Sequence, residues 1–127
     1  MKPAILEVKT LDQAKAELAK IGVHPVGVEI MALKAVYRVV KFEGIDPHTA
    51  NIVKQEMLSR GGEVAVSESV GKFEEKNTDM IILGNLAQYV RLIRKLRKQT
   101  SYRCQEVANL LSTLLFEGSI VDLAPVW

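Results

Sequence analysis

The stretch that decides the fold is Thr78-Asp79-Met80-Ile81-Ile82-Leu83-Gly84-Asn85-Leu86-Ala87-Gln88-Tyr89, residues 78–89. Met80 to Leu83 is a continuous apolar run, as expected of a strand covered on both faces. Gly84-Asn85 breaks it. Asn85-Leu86-Ala87-Gln88 then resembles a capping box, in which Asn85 accepts from the third helical amide and Gln88 reaches back. Leu86, Tyr89, Val90, Ile93 and Leu96 recur at helical spacing and predict a helix over 86–98. A strand running directly into an amphipathic helix is the unit from which helix-on-sheet folds are built.

Outward from this unit the same alternation repeats. Ala50, Val53 and Met57 predict a helix over 47–60, started by Asp46-Pro47 and ended by Gly61-Gly62. Glu63 to Ser67 follows as a strand, and Glu68 to Asn77 reads as a polar loop. Toward the N-terminus, Ala35 to Glu43 is rich in β-branched and aromatic residues and predicts a strand. A helix over Ala32 to Val40 is the alternative. Val26 to Met31 reads as a strand or as an irregular approach to one. Thr10-Leu11-Asp12-Gln13 is a capping box for a helix over 11–21, with Gly22 as its left-handed stop. Ala4 to Val8 predicts a short first strand. At the other end, Cys104, Val107, Ala108, Leu111, Leu114 and Leu115 predict an amphipathic helix within Ser101 to Phe116, stopped at Gly118. Ser119 to Trp127 reads as strand-like or frayed.

The predicted class is α/β: a single-domain sandwich with a small mixed sheet of about four strands, three core helices and an extra C-terminal helix. The chain has 127 residues, with 48% apolar and 25% charged, which suits one globular core and excludes a (β/α)₈ barrel. A net charge of +2 is mildly basic, so a nucleic-acid partner is not expected. One cysteine, Cys104, allows no intrachain disulfide and gives no sign of an oxidising compartment. No signal core or spanning apolar segment is seen, so a cytoplasmic protein with no membrane partner is expected.

The most distinctive charged feature is Arg91, Arg94, Lys95 and Lys98, at i, i+3, i+4 and i+7 on one helical face. Such a stripe suits an anion, whether phosphate, nucleic acid or an acidic partner surface. It equally suits a solvated face whose cations complement the helix C-terminal dipole. The turn at Gly84 and Asn85 is the second candidate, since a helix N-terminus offers amides to an anion. Its plainer reading is a tight turn with an Asn cap, because no phosphate-binding glycine motif is present. His24, His48 and Cys104 lie far apart in sequence and make a poor metal set, so no metal and no cofactor are expected. Cys104 has basic neighbours but falls on an apolar stripe, which predicts burial. No catalytic residue is assigned.

Two longer stretches carry a family resemblance. One is Val28-Glu29-Ile30-Met31-Ala32-Leu33-Lys34-Ala35-Val36-Tyr37-Arg38-Val39-Val40-Lys41. The other runs from Ala50 to Val66 (ANIVKQEMLSRGGEVAV) and continues over Thr78 to Tyr89. Together they resemble the N-terminal extension that precedes the catalytic barrel in some bacterial dihydropteroate synthases. The resemblance covers about residues 1–99, and Thr100 to Trp127 departs from it. It implies an α/β domain over 1–99 and a separate amphipathic helix and tail over 100–127. It also implies a role in folate biosynthesis beside a pterin-binding transferase. The expected function is interaction or regulation, through a homo-oligomer or a synthase barrel. A small anion- or nucleotide-binding module is the alternative. The family's catalytic segments belong to the barrel, so none carries over to this chain.

Overall fold

A computed structural model of the chain describes residues 1–68 and 76–118. Among the described residues five helices are seen: α1 (Leu11–Lys20), α2 (Pro25–Ala35), α3 (Pro47–Leu58), α4 (Leu86–Arg97) and α5 (Cys104–Phe116). Three strands, β1 (Tyr37–Ile45), β2 (Glu63–Val66) and β3 (Thr78–Asn85), form one antiparallel sheet in the order β1-β3-β2. The α/β class holds. The sheet differs from expectation in having three strands rather than about four, and in being antiparallel rather than mixed.

The differences arise at the N-terminal end. Ala4 to Val8 is not a strand: it has no sheet partner, and Ile5 and Leu6 are exposed. Val26 to Met31 lies inside α2. There His24 is the N-cap, its Nδ1 accepting from the Val26 amide at 3.2 Å, and Pro25 occupies the first turn. That segment is apolar almost all round and hides its period, yet burial falls on Val28, Ala32 and Leu33, at helical spacing. Ala35 therefore ends a helix rather than starting a strand, and β1 begins two residues later. The alternative helix over Ala32 to Val40 is right only as far as Ala35. The predicted strand-like tail, Ser119 to Trp127, and most of the predicted loop lie outside the described residues.

The other starts and stops follow local chemistry. Thr10 and Gln13 form the reciprocal box of α1. Asp46 caps α3 through the Thr49 amide at 2.9 Å and hydroxyl at 2.7 Å. Gly61, at φ +82°, turns the chain back from α3 into β2.

The sheet buries one face. Val40, Met80, Ile82 and Val64 point into the helical layer with Val53, Met57, Tyr89, Val90 and Ile93. On β3 burial alternates: Met80 and Ile82 are buried, whereas Ile81 and Leu83 are half-exposed. The apolar run is thus covered on one face, because among the described residues the helices pack on one side. Tyr37 and Val39 extend the open face. Helix α5 packs on α4 and joins the same core through Cys104, Val107, Ala108 and Leu111.

Candidate functional site

Helix α4 places the basic stripe. Leu86, Ala87, Tyr89, Val90, Leu92, Ile93 and Leu96 are buried, which fixes the helix rotation and turns Arg91, Arg94, Lys95 and Lys98 outward. The hydroxyl of Tyr89 lies 2.9 Å from the carbonyls of Arg38 and Ile82, pinning α4 to the sheet. Burial drives the pKa of that hydroxyl upward, so it serves as a neutral structural donor.

The four cations line one open hollow of about 380 Å³ together with Ser59 and Arg60, which come from the end of α3. Among the described residues lining it none is acidic. Arg60 is held by Glu56, its Nη1 donating to the carboxylate at 3.0 Å and to the Glu56 carbonyl at 2.7 Å. Its Nε is buried and unpartnered. The carbonyl of Arg60 accepts from Gln88 Nε2 at 3.0 Å, which ties the end of α3 to the first turn of α4. Sequence reading missed Ser59 and Arg60. The available signal was Gly61-Gly62, which reverses the chain immediately after Arg60.

Gly84 and Asn85 do not line this hollow. Three amides of their turn are engaged within the protein. Gln88 N donates to Asn85 Oδ1 at 2.9 Å, Asn85 N donates to Gln88 Oε1 at 2.8 Å, and Leu86 N donates to the Val36 carbonyl at 2.9 Å. A Cβ on Gly84 would run into Met57 Cε and Gln88, so glycine lets α3 approach the turn.

The remaining candidates lie apart from this hollow. Cys104 is buried, and its thiol pKa is raised, first by burial and then by the Asp46 and Glu56 carboxylates. Asp46 is the reverse case. Partial burial pushes its carboxyl up, but the Thr49 amide and hydroxyl, with Arg103 farther off, outweigh that and leave it below its ordinary value. Arg103 lies outside the hollow and forms a two-pronged pair with Glu106, at 2.8 Å for each bond. His48 is exposed and stacks on Tyr102, with ring centroids 4.8 Å apart. Among the described residues no group of three or more His, Cys, Asp or Glu is placed to hold a metal. Nor is any described helix long and apolar enough to cross a membrane.

No known family's sequence profile matches the chain. No solved structure matches it significantly. The chain is similar to a protein of Halobacterium salinarum described as a probable bifunctional folylpolyglutamate synthase/dihydropteroate synthase. The identity is 37% over 109 residues, which is 85% of this chain. A match of that length cannot fit within residues 1–99, so it reaches into α5. The chain spans 13% of the length of that relative, so what the two share is one segment of a much larger folate-pathway protein.

Proposed function

We propose that this chain is a non-catalytic accessory domain similar to the N-terminal part of dihydropteroate synthases, acting in folate biosynthesis by interaction or regulation. The observation that carries the reading is the 37% identity over most of the chain with a small share of a bifunctional folate-pathway protein. The geometry supports it. The described residues present one hydrophobic core cluster and one open basic hollow. A barrel active site is assembled from loops after several strands, which a three-stranded antiparallel sheet does not provide. Helix α5 would carry the interface: Leu110 and Leu114 stand exposed on it, at 52% and 66%.

The test is an assay of the purified chain with a pterin pyrophosphate and p-aminobenzoate. The chain alone yields no dihydropteroate. Added in trans to a dihydropteroate synthase barrel, it co-elutes with the barrel in size-exclusion chromatography with light scattering. Product from the chain alone, or separate elution, contradicts the reading.

A further inference from the structure

We propose that residues 2–7 are an exchange arm: in a dimer of this chain, each copy lays its arm as an added strand on the free edge of the other copy's β1. The inference goes beyond the accessory role and does not depend on it.

Both halves of the contact are carried by one chain. Among the described residues β1 pairs with β3 alone, so its other edge is open. The Val36 carbonyl accepts from the Leu86 amide, and hydrogen-bonded pairs alternate along an antiparallel ladder. Arg38, Val40 and Phe42 therefore bond to β3, whereas Tyr37, Val39 and Lys41 turn their amides and carbonyls to the open edge. The Tyr37 carbonyl accepts from Arg38 Nη1 at 3.0 Å, which leaves Val39 and Lys41 to receive a strand. An edge of this kind is a template for another chain.

The arm suits that edge. Ala4-Ile5-Leu6 is apolar, yet Ile5 is 94% exposed and Leu6 58%. The base of the arm is fixed: Val8 packs against the core, and Arg38 Nη2 donates to the Lys9 carbonyl at 2.7 Å. The Val8 amide donates to the Leu6 carbonyl at 3.1 Å, a tight turn that sends the arm into solvent rather than along its own β1. A second copy is the occupant, because one antiparallel register matches arm to edge. With Leu6 opposite Val39, Ala4 faces Lys41 in the next hydrogen-bonded pair. Pro3, which has no amide, falls opposite Phe42, where none is needed. The same register sets Glu7 against Arg38 and Lys2 against Glu43, both pairs opposite in charge. Leu6 then lies beside the exposed Val39, and Ile5 falls on the helix side next to Val40 and Phe42. Two arms on two edges, related by a two-fold axis, close the assembly at a dimer.

Sedimentation velocity of the full chain from micromolar to millimolar concentration tests the proposal, and a monomer–dimer equilibrium is the expected result. Ile5→Asp/Leu6→Asp replaces exposed residues, so it keeps the thermal midpoint and raises the dimer dissociation constant about tenfold or more. Oxidised Leu6→Cys/Val39→Cys gives a disulfide-linked dimer on a non-reducing gel, since opposed residues of a hydrogen-bonded pair lie about 5.5 Å apart at Cα. A chain that stays monomeric at every concentration overturns the proposal. So does a dimer that Ile5→Asp/Leu6→Asp leaves intact, or a disulfide closed within one chain, which would put the arm on its own β1.

Discussion

Asp46 shows how one side chain sets the register of a whole helix. Its carboxylate takes the Thr49 amide and hydroxyl, and Thr49 Oγ1 in turn accepts from the Arg103 amide at 3.2 Å, linking the start of α3 to the start of α5. The Asp46→Ala variant should lose about 1 kcal/mol or slightly more, read as a lower urea midpoint with unchanged slope. A folded-state pKa below the ordinary 3.8 means the carboxylate stabilises the native state above that value. The contribution is lost as pH falls through the depressed folded value. In Asp46→Asn this acid-side loss should flatten, as followed by thermal melts between pH 5 and 2. At Cys104 burial wins over the basic neighbours in sequence. A thiol reagent should label the native chain slowly and the urea-unfolded chain at once; rapid native labelling would contradict the buried, protonated thiol.

At the scale of elements, legibility followed the strength of local signals. The capping boxes at Thr10 and Asn85 and the Asp46-Pro47 start were readable, because each joins a cap to a clear apolar stripe. Helix α2 was not, since Val26, Val28, Ile30, Met31 and Leu33 leave no polar face to reveal its period. Only His24-Pro25 marked its beginning, and histidine is a less usual cap. The run Met80 to Leu83 overstated its own burial. A string of apolar residues does not say whether its second face is covered, and here Ile81 and Leu83 stay half-exposed. The basic stripe on α4 was legible from spacing alone, whereas Ser59 and Arg60 come from the turn after α3, which only folding brings near. The close approach of α3 to the turn before α4 gives a prediction at this scale. Gly84→Ala forces Met57 and Gln88 aside and should cost about 1–3 kcal/mol, measured by denaturant melts.

Across the whole molecule, α5 completes the core and still leaves an apolar strip outward. Leu110→Lys/Leu114→Lys replaces exposed residues, so the thermal midpoint should hardly move while affinity for a synthase barrel falls about tenfold or more. Equal binding by the variant would remove α5 from the interface. The most direct measurement is a binding titration of the intact chain into a purified dihydropteroate synthase barrel, with product formation followed in the same samples. A saturable complex, with turnover confined to samples containing the barrel, is the predicted result; no complex, or dihydropteroate formed where the barrel is absent, would contradict it.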